Sequence, residues 1–181
     1  NLPMFTSCCP SWVLYSEKYH PELVKNLSTC KSPIAMQGAI IKSYFAEMYE
    51  IPKEKIISVS LTPCISKKYE RSLYPDTDYV ITTSELILDF QNLEDAPFDK
   101  LLGKGSGGGL IFGVSGGVME SILRTAYYMV NKEKAPEQFY EFLEIRGEKD
   151  IKEATVDMKE FKLKIAVVNK VSTIEKNYSF Y

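Results

Sequence analysis

Residues 55–70 have the sequence KIISVSLTPCISKKYE, in which a run of apolar and β-branched side chains leads into a polar segment with one cysteine. Pro52 and Pro63 bound the run, a composition typical of a short buried strand. Open α/β sheets bind their ligands beyond the carboxyl ends of their strands. The stretch therefore predicts a strand over residues 55–61 that brings Cys64 to a ligand site.

Helical and strand patterns alternate through the first part of the chain, and strands cluster towards its end. We expect helices over residues 12–27, 35–49, 84–91 and 118–130, and further strands over residues 79–83, 142–145, 154–158 and 161–168. Ser32 suits the N-cap of the second helix and Pro33 its first helical position. The helix over residues 118–130 has one apolar face, and a turn at residues 159–160 joins the last two strands. This order predicts the α/β class, with a mixed sheet flanked by helices. With 181 residues and 45% hydrophobic content, residues 1–181 are expected to form a single domain or a fragment of a larger one.

Charge and hydropathy argue against two classes of partner. The 22 basic and 24 acidic residues are interspersed, so the chain has no field that would gather nucleic acid or anionic lipid. It has no run of about eighteen apolar residues, and no basic segment followed by an apolar run at its amino end. We therefore expect no nucleic acid and no membrane as partners, and a cytoplasmic protein.

The densest cysteine cluster is TSCCPSW, residues 6–12, which ends where the first helix is predicted to begin. Pro10 suits the first helical position, so Cys9 would be the N-cap, where unpaired backbone N–H groups and the helix dipole favour a thiolate. A thiolate there is a metal ligand or a nucleophile. The alternative is that Cys8 and Cys9 are small buried hydrophobic residues.

The segment after the predicted strand, TPCISKKYE, residues 62–70, is a second candidate. Lys67 and Lys68 lie near Cys64 in the sequence, where their ammonium groups would favour a thiolate and could hold an anionic cofactor. The alternative is a solvated turn, with the two lysines and Glu70 in water.

A glycine-rich stretch, GGGLIFGVSGG at residues 107–117, leads into the helix predicted from residue 118. Glycines let bare backbone N–H groups approach an anion at a helix N-terminus. The alternative is a flexible connection. Cys30 lies in an ordinary connection and is expected to be a bystander.

Four segments together resemble the catalytic domain of iron-only (iron-iron) hydrogenases, in order and spacing. They are TSCCPSW at 6–12, KSP at 31–33, PCISKKYE at 63–70 and FGVSGGVME at 112–120. The resemblance implies a central portion of that α/β domain, whose H-cluster joins a cubane 4Fe-4S cluster to a two-iron centre. It also implies reversible oxidation of hydrogen and reduction of protons, with ferredoxin or another electron carrier as the partner.

The resemblance assigns roles to residues of both cysteine segments. Cys9 and Cys64 are similar to two of the four cysteines that ligate the cubane. Cys8 resembles the cysteine that passes protons to and from the two-iron centre. Lys67 resembles the lysine that hydrogen-bonds one cyanide of that centre.

Five further positions match the family outside the metal ligands. Ser28 and Glu70 fall where the family has members of the proton path. Backbone groups that line the cluster pocket are implied at Gly113, Gly116 and Gly117.

The sequence also departs from the family. Thr62 stands where methionine is usual, Ile34 where glutamine is usual, and Ser11 where glycine is common. The family's third motif, which carries the other two cubane ligands, is expected after Asn169 and does not occur before Tyr181. The resemblance therefore implies a truncated or split portion, inactive by itself, that a further segment or subunit completes.

Two other functions fit the same segments. Eukaryotic relatives of these hydrogenases help to deliver iron-sulfur clusters, but they commonly keep one cysteine at the first motif. Cys8 beside Cys9, together with the KSP segment at residues 31–33, therefore favours the hydrogenase. The third hypothesis, a cluster-free scaffold or sensory fragment, is favoured by Thr62 and the missing ligands.

Overall fold

A computed structural model of the chain describes residues 3–89, 94–97, 99, 102–136, 143–145 and 148–177. The chain divides into two compact units, Asn1–Leu102 and Gly103–Tyr181. All four cysteines belong to the first unit, and the glycine-rich stretch belongs to the second. Among the described residues, no helix has the length and apolar character needed to cross a membrane.

The first unit places helices around a two-stranded parallel sheet. Its helices are α1 (Pro10–Tyr19), α2 (Pro33–Ile40), α3 (Ala46–Met48), α4 (Ser66–Leu73) and α5 (Thr83–Asp89), and its strands are β1 (Val59–Thr62) and β2 (Tyr79–Thr82). A 3-10 helix at Pro21–Asn26 follows α1, a π-helical segment at Ile41–Phe45 joins α2 to α3, and a 3-10 turn at Lys53–Lys55 precedes β1. The two helices predicted before β1 are therefore confirmed, but each consists of several helical segments.

Local signals explain where α1 and α2 begin and end. Pro21 restricts the residue before it and lacks an N–H group, so α1 ends before it. Ser32 Oγ accepts the N–H of Ala35 at 3.3 Å, and Pro33 takes the first helical position, as predicted. Gly38 is required by packing, because a Cβ there would lie 2.8 Å from Thr77 Oγ1.

Lys42, in the π-helical segment, connects the residues that precede both strands. Its Nζ donates to the Ile56 carbonyl and to Asp78 Oδ2, both at 2.6 Å. The same Asp78 oxygen accepts the N–H of Ser58 at 2.7 Å. These two hydrogen bonds, from Lys42 first and Ser58 second, lower the pKa of Asp78. The π-helical segment thus anchors the beginning of the parallel sheet.

The second unit packs a long helix against an antiparallel sheet. Its elements are α6 (Gly107–Ile111), α7 (Gly117–Asn131), β3 (Leu143–Ile145), β4 (Glu148–Asp157), β5 (Lys162–Val168) and α8 (Val171–Asn177), with strand order β3-β4-β5. The core cluster consists of the buried residues Leu123, Tyr127, Val156, Met158 and Ile165. The apolar face predicted for α7 therefore covers the predicted β4–β5 hairpin.

The α/β class expected from the sequence is confirmed. Parallel and antiparallel pairings are both present, and the described strands place them in two separate sheets. The helix expected from Ser84 is present as α5, which begins one residue earlier, at Thr83. None of α4, α6 and α8 was predicted. Gln91 and Phe142, the ends of two predicted elements, lie outside the described residues.

A reciprocal cap explains the start of α5. Thr82 Oγ1 accepts the N–H of Glu85 at 3.3 Å, and Glu85 Oε2 accepts the N–H of Thr82 at 2.8 Å and its hydroxyl proton at 2.9 Å. Lys68 of α4 donates to the other oxygen of the same carboxylate. The hydrogen bonds from Lys68 and then Thr82 lower the pKa of Glu85 to about 2.

The first prediction concerns Glu85→Gln. The folded pKa of about 2 lies below the ordinary value of 4.5, so the stabilisation by Glu85 is present above pH 4.5 and is lost as pH falls towards 2. The urea midpoints of the parent protein and of Glu85→Gln should therefore differ at neutral pH and converge in acid. The side chains of Lys68 and Glu85 are 41% and 43% exposed, so salt should reduce the neutral-pH difference. A difference unchanged by acid would contradict this account.

Candidate functional site

Cys9 and Cys64 occupy similar places at the starts of two helices. Cys9 is the N-cap of α1, as predicted, and its carbonyl accepts the N–H of Trp12 at 3.2 Å. Cys64 immediately precedes Ile65, the N-cap of α4, and its carbonyl accepts the N–H of Lys67 at 3.2 Å. Helix starts carry unpaired N–H groups and the positive end of the dipole. Both thiols therefore lie beside such groups.

The backbone before each cysteine is held by a hydroxyl group two residues earlier. Ser7 Oγ accepts the N–H of Cys9 at 3.0 Å, and Thr62 Oγ1 accepts the N–H of Cys64 at 3.3 Å. Thr62 is 6% exposed, so its hydroxyl is shielded from competing water. Thr62, identified from the sequence as a departure from the family, thus supports the turn that presents Cys64.

Two contacts bring the cysteine segments together across 55 residues or more of sequence. Ser11 Oγ and Ser66 Oγ are 2.7 Å apart, and Lys67 Nζ donates to the Cys8 carbonyl at 2.5 Å. All four cysteines are free thiols; Cys8 is exposed, and Cys9 and Cys64 are half-buried. The first and second candidate segments therefore form one site in the first unit.

Lys67 and Glu70 form a buried ion pair in this site. They are 6% and 9% exposed, and Lys67 Nζ lies 2.8 Å from Glu70 Oε2. Ser32 Oγ donates to the same carboxylate oxygen at 2.9 Å. The solvated turn considered for this segment is therefore wrong for both residues, which lie on α4. The pair connects the beginning of α2 to the backbone of Cys8.

Ser28 and Glu70 line the same cavity, which has a volume of about 170 Å³. Ser7 and Ser32 add hydroxyl groups to its wall, and the exposed Cys30 also lines it. The lining also includes apolar side chains such as Trp12 and Leu27. A cavity of this size has room for several water molecules, because one occupies roughly 30 Å³ in the liquid. The cavity thus brings together the two residues that the resemblance assigned to a proton path.

The three glycines predicted to line a pocket lie in the second unit, Gly113 and Gly116 before α7 and Gly117 as its first residue. Gly116 has φ +79°, a left-handed conformation that favours glycine. A Cβ on Gly117 would lie 1.8 Å from the Ile111 carbonyl oxygen, whereas one on Gly113 would make an ordinary contact at 3.7 Å. The flexible connection considered for this stretch is wrong for residues 107–111, which form α6.

Sequence reasoning missed Ser7, Ser11 and Ser66 as members of the site. The signal was present as a repeated pattern, SCCPS at residues 7–11 and TPCIS at residues 62–66. Across the described ranges, no group of three or more His, Cys, Asp or Glu side chains lies at metal-ligand spacing.

Sequence comparison connects this site to known proteins. The family described as iron only hydrogenase large subunit, C-terminal domain, matches residues 1–179. The periplasmic Fe hydrogenase large subunit of Nitratidesulfovibrio vulgaris is 46% identical over 183 residues, which cover 93% of this chain and 43% of that protein. Cytosolic iron-sulfur assembly component 3 of Bos taurus is 33% identical over 150 residues, which cover 69% of this chain and 30% of that protein.

Structural comparison gives the same group of proteins. An apo FeFe hydrogenase of Chlamydomonas reinhardtii, solved as a variant, matches with a TM-score of 0.77 and 33% identity. The match covers 98% of this chain and 55% of the hydrogenase chain. The present chain thus spans less than half the length of the two curated relatives above and about half of the solved chain.

The second prediction tests the buried pair. Glu70→Ala should lower the free energy of unfolding by about 3–5 kcal/mol, because it leaves the Lys67 ammonium buried without its carboxylate. Lys67→Met combined with Glu70→Leu should cost less, since no unpaired charge remains. Urea denaturation of both variants, with the exposed Glu47→Ala as the control, measures this. A double variant less stable than Glu70→Ala would contradict the assignment.

Proposed function

Because the chain belongs to the iron-only hydrogenase large-subunit family, as part of its C-terminal domain, we propose that it is a portion of a hydrogenase catalytic domain. That domain interconverts hydrogen with protons and electrons at an H-cluster. The observation that carries the proposal is the meeting of two cysteine-bearing helix starts, joined by Ser11 and Ser66, with Lys67 beside them.

The thiols of Cys9 and Cys64 fit a 4Fe-4S cubane in chemistry, since its usual protein ligands are four thiolates. Both are free and half-buried, and both stand at helix starts, whose positive dipole ends favour an anionic group. We assign them as two of the cubane ligands. The other two are proposed to come from a further segment or subunit.

When bound, the H-cluster would supply the redox chemistry of hydrogen oxidation and proton reduction. The chain's own residues are proposed to bind and to move protons. The ammonium group of Lys67 would hold an anionic ligand of the cofactor. The exposed Cys8 thiol would carry a proton at Sγ. Ser28 and Glu70 would continue the proton path along the wall of their shared cavity. Backbone groups at Gly113, Gly116 and Gly117 are assigned to the cofactor pocket.

The electron partner and the compartment are also proposals. Ferredoxin or another small carrier would deliver the electrons, since the reaction needs a redox partner. The cytoplasm is the proposed compartment because four free thiols suit a reducing environment. The N. vulgaris relative is named as periplasmic. Fractionation of the source cells tests whether the protein is cytoplasmic or periplasmic. Recovery with the periplasmic proteins would overturn the cytoplasmic assignment.

A role in iron-sulfur cluster assembly is the second candidate. It is favoured by the 33% identity to the Bos taurus assembly component over 69% of this chain. The hydrogenase is preferred because the N. vulgaris large subunit is 46% identical over 93% of the chain. Transfer of a cluster to an apo acceptor protein, without hydrogen turnover, would favour assembly instead.

The third prediction separates the two adjacent cysteines in a protein that carries all the cluster ligands. Cys9→Ala should lose iron together with activity. Cys8→Ala should keep its iron, while hydrogen turnover falls by about 10²–10⁴-fold through loss of a proton-transfer group. Cys8→Asp should recover part of the rate, because a carboxyl group also carries protons.

Iron per chain and hydrogen production with reduced methyl viologen are measured side by side. Cys30→Ala, outside both cysteine segments, is the control for iron content. Loss of iron from Cys8→Ala with full retention in Cys9→Ala would reverse the two roles.

The fourth prediction concerns the 181-residue chain by itself. After cofactor reconstitution it should evolve no hydrogen, because two thiolates leave half of the usual cubane ligand set unfilled. A cysteine-rich segment from a related hydrogenase, added in trans, should restore cluster retention. Electron paramagnetic resonance of the reduced sample checks for the cluster. Hydrogen production by the chain alone would overturn the proposed ligand set.

A further inference from the structure

The two cysteine segments share one local structure: a hydroxyl residue, a spacer, cysteine, a spacer and serine. The segments are SCCPS, residues 7–11, and TPCIS, residues 62–66. In each, the first hydroxyl accepts the cysteine N–H, at 3.0 Å for Cys9 and 3.3 Å for Cys64. In each, the cysteine carbonyl accepts the N–H three residues later at 3.2 Å. The same backbone turn thus presents both thiols.

The final serines of the two segments contact each other. Ser11 Oγ and Ser66 Oγ are 2.7 Å apart, an ordinary length for an O–H···O hydrogen bond. Ser11 lies in the first turn of α1 and Ser66 in the first turn of α4. Each serine follows its cysteine by two residues, so fixing the serines limits the separation of the cysteines.

We propose that the Ser11–Ser66 hydrogen bond is a positioning contact that limits the separation of Cys9 and Cys64 before any metal binds. This inference rests on the proposed function, because it takes both cysteines as ligands. Ser11 and Ser66 act through the helix starts and do not themselves bind the metal.

The remaining contact between the two segments does not replace this one. Lys67 donates to the Cys8 carbonyl and holds the backbone before α1. Lys67 therefore contacts the residue before the N-cap, whereas Ser11 lies within the first turn of α1. Neither α1 nor α4 has a side-chain hydrogen bond at its N-cap that would fix the helix start independently. Ligand groups that are ordered before binding lose less conformational entropy when the metal arrives.

The experiment measures cadmium binding by the metal-free chain. Replacing Cys8 and Cys30 by serine leaves Cys9 and Cys64 as the two thiols of the four-cysteine chain. Cd²⁺ affinity is read from thiolate-to-metal absorption in competition with a chelator. Ser11→Ala and Ser66→Ala should each weaken binding by about threefold to tenfold, the range that one net hydrogen bond supplies. The double variant should bind Cd²⁺ no more weakly than the weaker-binding single variant, because either single substitution already removes the Ser11–Ser66 hydrogen bond.

Two comparisons separate positioning from a general loss of stability. Ser72→Ala, on α4, removes an exposed hydroxyl that donates only to the Tyr69 carbonyl in the same helix, and should leave Cd²⁺ affinity unchanged. Ser11→Thr and Ser11→Val have nearly the same shape and differ by a hydroxyl group. Thr should bind Cd²⁺ like the parent and Val like Ser11→Ala, with urea midpoints recorded for each. Comparison of Ser11→Thr with Ser11→Val therefore tests the positioning role even if an alanine variant unfolds.

The outcomes distinguish this inference from the proposed function. If Cys9→Ala and Cys64→Ala lose Cd²⁺ binding while Ser11→Ala and Ser66→Ala bind as tightly as the parent, the positioning role is overturned. The assignment of both cysteines as ligands is then retained. Additive losses in the double serine variant would also overturn it. If Cys9→Ala and Cys64→Ala bind Cd²⁺ like the parent, the ligand assignment fails, and the positioning role fails with it.

Discussion

The candidate site depends on the buried hydrogen-bonded pair of Lys67 and Glu70. The two charges lie one turn apart on α4, and they reach the Cys8 carbonyl before α1 and Ser32 at the start of α2. A buried ion pair is tolerated only when its remaining hydrogen-bonding groups are satisfied. The three segments must therefore meet in one arrangement, and that arrangement places the two cysteine turns side by side.

Elements with local signals could be predicted from the sequence. Pro10 marked the start of α1 with Cys9 as its N-cap, and Ser32 with Pro33 marked the start of α2. The β-branched run before Pro63 placed a strand ahead of Cys64, although only its last part pairs as β1. Helix caps and strand-forming runs depend on a few consecutive residues, so they can be recognised without knowledge of the tertiary structure.

Elements that depend on distant partners could not be predicted. Helix α4 buries Lys67 and Glu70, whereas periodicity identifies helices by apolar residues. The Ser11–Ser66 contact joins two polar side chains 55 residues apart, and the repeated pattern around the two serines does not by itself indicate that they meet. Thr62 differs from the methionine that is usual at this position of the family. Its hydroxyl group nevertheless supports the turn that presents Cys64. A residue that departs from a family motif can thus have a structural role of its own.

The π-helical segment at Ile41–Phe45 restricts how the length of this region can vary between relatives. Each residue advances a helix by about 100°, so one deletion or insertion before Lys42 would turn its ammonium group away from Ile56 and Asp78. Both strand beginnings would lose their common anchor at the same time. Substitutions can therefore accumulate along this helix far more readily than changes in its length, and alignment gaps should fall in the loops on either side.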